Sequence, residues 1–127
     1  MKILVDTNIF LEILLTQEKK NICKKFLEKN KNNITVSDFS VHSIGLFLYR
    51  EKRHETFTKF NLDILQSIRI LSLHQNKYND LEVLAKRHNL DFDDVYQSKI
   101  ALEYDLKIAT LDSDFKKIQD KIEIIFL

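Results

Sequence analysis

Proline and tryptophan are absent, and glycine occurs once, at Gly45. A dinucleotide-binding fingerprint or a P-loop needs several glycines to bring backbone against phosphate, so both are excluded. The single cysteine, Cys23, has no partner for an internal disulfide. Phe26 and Leu27 follow it at helical spacing, so Cys23 is expected to be an apolar thiol at the edge of the core rather than a nucleophile. No apolar run reaches the ~18 residues that a membrane span needs. The first residues, one Lys and a short apolar run broken by Asp6, lack the plan of a signal peptide. A cytoplasmic location with no membrane partner is the expectation. An excess of one charge is missing too: 20 basic side chains face 19 acidic ones, a net charge of +1. A nucleic-acid partner would have to be met by a local basic patch.

What is present is a folding composition, 44% hydrophobic and 31% charged over 127 residues. That length suits one domain, residues 1–127, with a real core. Its elements alternate. "KILV" (2–5), "ITVS" (34–37), "IRILSL" (68–73), "KIATL" (107–111) and "IEIIF" (122–126) read as short buried strands. Between them run helical patterns. "TNIFLEILL" places Ile9, Phe10, Ile13 and Leu14 on one face, with Thr7 or Asn8 as its cap. "DFSVHSIGLFLYREK" turns Val41, Ile44, Phe47 and Leu48 inward. "KKNICKKFLEKN", "ETFTKFNLDILQS", "QNKYNDLEVLAKRHN" and "DDVYQSKIALEYD" are the other helical stretches, and "DSDFKKIQD" is a short helix. Strands alternating with helices predict an α/β fold with a mostly parallel sheet between helical layers.

Ligands of such sheets bind beyond the carboxyl ends of the strands. Asp6 follows the first strand, Asp38 the second and Asp112 the fourth, while Asp93 and Asp94 open a helix. Taken one at a time, these aspartates read as helix caps, Asp38 and Asp93 most of all. Gathered at one sheet edge, they would repel one another unless a cation joined them. Mg²⁺ and Mn²⁺ are hard ions suited to a few carboxylate oxygens and retained waters. The chemistry implied is metal-assisted hydrolysis of a phosphodiester.

"ILVDTNIFLEIL", "DFDDVYQSKIALEYDLKIATLDSDF" and the last strand "IEII" together resemble a PIN domain, and in size and order the VapC-like toxins of toxin–antitoxin pairs. The resemblance spans nearly the whole chain. It implies a three-layer α/β/α fold, a Mg²⁺- or Mn²⁺-dependent ribonuclease, a homodimer and a small antitoxin partner. Asp6, Asp94 and Asp112 then match the catalytic acidic positions, with Asp114 completing the metal-binding set. Thr7, Asn8 and Thr110 match the polar residues that orient those carboxylates.

The family places a Glu in the helix after the second strand, and this chain has no Glu from residue 29 to 50. The count from Ser37 reaches His42, whose imidazole suits Mn²⁺, and Asp38 is a second possible substitute. RNA contacts would come from Arg50 and Arg53 in "YREKRHE", with "KRH" (86–88), Lys116 and Lys117 as further cations. Tyr49 and Tyr96 are candidates for base stacking. The missing Glu keeps a second reading open, a PIN-fold binding or regulatory module with weak or no nuclease activity. A flap-endonuclease type requires arch and clamp insertions for which the chain has no room. A receiver domain needs a paired-acid first loop and a late Lys, and neither is evident.

Overall fold

The computed structural model describes residues 2–127. Five strands form one sheet: β1 (Ile3–Val5), β2 (Ile34–Ser37), β3 (Arg69–Leu71), β4 (Lys107–Thr110) and β5 (Ile124–Phe126), in the order β3-β2-β1-β4-β5. Every pairing is parallel. Parallel sheets carry helices on both faces, which is why β1 and β2 are buried at every residue. The helices are α1 (Thr7–Leu14), α2 (Lys20–Lys29), α3 (Asp38–Arg50), α4 (His54–Asp63), α5 (Leu81–His88) and α6 (Phe92–Tyr104). The expected three-layer α/β/α architecture is present.

The two helical layers follow from the strand order. The chain steps outward from β1 to β2 to β3, then returns past β1 to β4. Right-handed crossovers put helices on opposite faces when the stepping direction reverses. Side chains along β1 alternate accordingly. Ile3 and Val5 pack with Ile9, Phe10, Cys23, Ile44, Leu48 and Phe60 of α1 to α4. Leu4 packs with Val95, Ile100 and Phe115 on the other face. Cys23 is fully buried in the first layer, and burial, with Glu12 nearby, raises its thiol pKa above the ordinary value. It is an inert core side chain, as its spacing suggests.

Boundaries differ from the sequence pattern where the turns tighten. Residues 75–89 are not one helix: Gln75–Asp80 is a 3₁₀ turn that leads into α5. "DSDFKKIQD" also closes as 3₁₀, over Ser113–Ile118. The caps lie one or two residues earlier than expected. Asp6, not Thr7 or Asn8, caps α1, its carboxylate accepting from the Thr7 N–H. Ser37 caps α3, so Asp38 lies inside the first turn, and Asp91 rather than Asp93 precedes α6. With glycine so scarce, left-handed positions fall to other residues: Asn89 at φ 53° ends α5 and Asp105 at φ 55° ends α6. Asn and Asp tolerate that region best because their short polar side chains bond locally.

Phe60 of α4 is 1% exposed and meets the Phe10 ring edge-on at 5.4 Å. Phe60→Ala is expected to destabilise the protein by about 3–5 kcal/mol in urea unfolding. Leu62→Ala, on the exposed side of the same helix, should change stability by less than about 0.5 kcal/mol.

Candidate metal centre

The sheet reverses its stepping direction between β1 and β4, and ligands of open α/β sheets bind beside such a switch point. Asp6 follows β1 there, and its N–H donates to the Ala109 carbonyl at 2.9 Å, extending the ladder by one bond. The residue is 8% exposed. A buried carboxylate must find donors, and it has three. Oδ1 accepts from the Thr7 N–H at 2.8 Å and from Gln97 Nε2 at 3.2 Å; Oδ2 accepts from Thr110 Oγ1 at 2.7 Å. Burial raises the Asp6 pKa, the three hydrogen bonds lower it, and the charge on Asp112 raises it again; the net direction is up.

Asp94 opens the first turn of α6. It is 7% exposed, and its pKa is pushed up to about 7 by burial first and then by the charges on Asp93, Asp112, Asp6 and Asp114. Oxygen atoms of Asp94, Asp112 and Asp114 all lie within 4.8 Å of one another. Asp112 is held by its backbone, whose N–H donates to Thr110 Oγ1 at 2.9 Å, while its own Oδ1 accepts from the Asp114 N–H at 2.9 Å. Asn8 Oδ1 accepts from the Leu111 N–H at 3.3 Å, so Asn8 steadies the loop that carries Asp112. Asp6 is not part of the triangle; it lies behind it, close enough to influence Asp94. The donor set is all oxygen and all carboxylate, with mutual repulsion that a cation relieves. It fits a hard divalent ion.

Beneath Asp6 lies a network with no obvious signature in the sequence. Ser40 Oγ accepts from Thr7 Oγ1 and from Gln97 Nε2, each at 2.8 Å, and lies 3.2 Å from Ser37 Oγ. Gln97 and Ser40 are fully buried. Gln97 is one turn after Asp94, so helical spacing alone puts them on one face. Ser40 is three residues after Ser37 in an S-x-x-S cap, which the sequence does contain.

None of the other candidates is part of the triangle. His42 is exposed. Two residues make about 200° of helix rotation, which turns His42 away from Ser40. Ser43 lies within about 60° of Ser40 on the same helix. Asp38 accepts the Tyr96 hydroxyl at 2.9 Å and the Phe39 N–H at 2.8 Å, a fixed arrangement at the start of α3. Tyr96 is 3% exposed and also accepts from the Leu73 N–H, so its ring is not offered to a base. Arg50 ends α3 about 18 Å along the axis from Asp38, and Arg53 lies beyond it at the start of α4. Tyr49 sits near that far end, edge-on to His54 at 4.3 Å. Lys116 and Lys117 are exposed beside Asp114 and are the cations nearest the triangle in sequence.

The raised pKa of Asp94 has a defined effect on stability. The fold holds more protons than the unfolded chain between the ordinary carboxylate value and about 7, so stability without metal falls as pH rises through that window. One such group gives a slope of at most about 1.4 kcal/mol per pH unit. Chelator-treated protein is expected to melt at a higher temperature at pH 5 than at pH 8, and Asp94→Asn should flatten the difference. Melting curves across this range check it.

Solved structures share the fold. The chain is similar to one in the crystal structure of VapBC2 from Rickettsia felis bound to a DNA fragment from their promoter: 14% identity, TM-score 0.81, covering 100% of this chain and 99% of that one. FitAcB from Neisseria gonorrhoeae gives 20% identity and TM-score 0.77, covering 97% and 96%. A toxin–antitoxin complex from Klebsiella pneumoniae gives 19% and 0.72, covering 90% of each chain. No curated protein matches the chain. The family model described as PIN domain matches residues 3–121. With a parallel sheet, an acidic triangle at its switch point and a match over almost its whole length, the chain belongs to the PIN domain family, whose members are generally nucleases.

Proposed function

We propose that the protein is a metal-dependent endoribonuclease and the toxin of a toxin–antitoxin pair. The observation that carries the reading is the meeting of Asp94, Asp112 and Asp114 in front of the buried Asp6. Asp94, Asp112, Asp114 and Asp6 would hold Mg²⁺ or Mn²⁺. The ion would supply positive charge against a scissile phosphate and acidify water for attack. The chain's own groups do the rest. Thr110 Oγ1 and the Thr7 N–H hold the Asp6 carboxylate in one rotamer. Asp112, pinned through Thr110, sets the place of Asp114. Lys116 and Lys117 meet phosphates flanking the cut. With no carboxylate supplied by α3, the site pulls less strongly on Mg²⁺, which gives up water reluctantly, so Mn²⁺ serves better.

Labelled single-stranded RNA, incubated with each metal and with chelator, tests the reading. Cleavage should need metal and be faster with Mn²⁺. Thr110→Val should lose about 10–100-fold, the usual effect of removing an outer partner. Asp6→Asn and Asp94→Asn should lose more than that. Ser43→Glu, on the Ser40 side of α3, should raise cleavage with Mg²⁺, while His42→Glu, on the exposed side, should not. Cleavage that survives chelator or Asp94→Asn sinks the mechanism. If only Ser43→Glu is active, the native chain is a PIN-fold binding module.

A cleft of ≈ 790 Å³ runs between α1, α2 and α4, with Ile13, Leu14, Leu27 and Ile64 in its floor and Lys20 and Lys24 at its edge. An antitoxin segment with apolar and acidic side chains would fit it. Leu46, Tyr49 and Phe47, which the helical pattern had turned inward, leave an apolar stretch of α3 exposed, which supports a homodimer. Light scattering should give a dimer for the chain alone and a larger complex with the product of a small neighbouring reading frame. Lys24→Glu should weaken that complex without slowing RNA cleavage; an unchanged complex places the antitoxin elsewhere.

A further inference from the structure

We propose that Gln97 is a positioning residue of the cation site: its amide occupies Oδ1 of Asp6, so that Asp6 meets the ion through Oδ2 alone. The proposal rests on the metal-dependent reading above and deepens it.

The hydrogen-bond inventory carries the argument. A carboxylate offers about four lone-pair positions, two on each oxygen. Oδ1 of Asp6 uses both of its own, for the Thr7 N–H and Gln97 Nε2. Oδ2 uses one, for Thr110 Oγ1. One position is left, and it is on Oδ2. Gln97 is equally committed: its two N–H hydrogens go to Asp6 Oδ1 and Ser40 Oγ. Ser40 in turn accepts from Thr7 Oγ1. The amide therefore cannot leave Asp6 without breaking a chain that joins β1, α1, α3 and α6.

The other end of the amide points to a function beyond packing. Gln97 is 1% exposed, and its Oε1 is buried with no hydrogen-bond partner. A buried acceptor without a donor costs about 1–3 kcal/mol. A Met of nearly the same length would fill the space without that cost, so packing alone does not account for the amide. What it supplies is a donor to Asp6 that carries no charge. A Lys or Arg in its place would compete with a cation for the carboxylates, and a Glu would add to their repulsion. In this chain, which has no Glu on α3, the neutral amide is what braces Asp6 from α6.

A carboxylate limited to one oxygen suits the compact octahedral shells of Mg²⁺ and Mn²⁺, at about 2.0–2.1 Å for Mg²⁺; Ca²⁺ accepts carboxylates through one or both oxygens. Freeing Oδ1 should therefore change which ion is preferred, an effect that simple repacking does not produce. The test is calorimetric titration of the full chain with Mg²⁺, Mn²⁺ and Ca²⁺, for wild type, Gln97→Met, Gln97→Leu and Asp94→Asn, with metal-free melting temperatures as a check on folding. Gln97→Met removes an unsatisfied oxygen and a donor together, effects of opposite sign, so it should melt within a few degrees of wild type. Its Mg²⁺ affinity should fall by about tenfold, the scale for losing an outer partner, while Ca²⁺ affinity holds or rises. Gln97→Leu should repeat the change. A Mg²⁺ to Ca²⁺ ratio equal to wild type in both variants overturns the proposal and leaves Gln97 a packing residue. If wild type binds none of the three ions and Asp94→Asn is indistinguishable from it, the metal reading itself fails, and the assignment of Gln97 with it.

Discussion

A carboxylate buried at the end of the middle strand is the constraint on which the site depends. Asp6 is almost closed to water, and a buried charge without donors is far more costly than any single packing defect. Its donors come from three directions: the first N–H of α1, the last residue of β4 and the second turn of α6. The last two require a tertiary feature. Thr110 reaches Asp6 because β4 lies beside β1 rather than beside β3. Gln97 reaches it because α6 packs on the face opposite α1 to α4. The strand order and the two layers are thus tied to one side chain.

The helix ends show how little glycine the fold needs. Asn89 and Asp105 take left-handed backbone at the ends of α5 and α6, and Thr16 and Lys52 do so elsewhere. Asp105 ends α6 two residues before β4, so the geometry of one C-terminal turn sets where Thr110, Asp112 and Asp114 emerge. A strand of four residues leaves little slack: a slip of one residue would turn Thr110 to the other face of the sheet.

Electrostatically, the chain is nearly neutral as a whole and sharply negative at one place. Asp94 is pushed up to about 7 by burial first and then by the carboxylates gathered around it. A PIN domain fold, three carboxylates within 4.8 Å and a fourth held behind them by neutral donors make an arrangement that a divalent ion would steady. The side-chain donors to Asp6 are neutral, so they fix its carboxylate without adding a positive charge beside it.

Much of this was legible in the residues. The alternation of apolar runs defined the five strands and the parallel sheet, since β-branched segments buried on both faces have few other arrangements. Asp6 and Asp112 stood out as aspartates after buried strands, whereas Asp94 and Asp114 were singled out by the resemblance of "DDV" and "TLDSDF" to a PIN domain. Thr110 came from the same resemblance. His42 was reached by counting along the chain, but helix rotation decides which side chains of α3 face the site, and it turns His42 outward beside a buried Ser40. The basic residues 50 and 53 were linked to the site only by sequence nearness to His42; α3 runs back along the sheet and carries them to its far end. Gln97 drew no notice because a glutamine in a helix is ordinarily a solvated residue. Its importance arises only when the first turns of α6 and α3 meet past the strand ends and bury the amide between Asp6 and Ser40. Sequence determined which groups end each strand, because periodicity and residue type act locally. Tertiary structure decided which of them meet, because strand order and helix rotation are set by packing across residues distant in the chain.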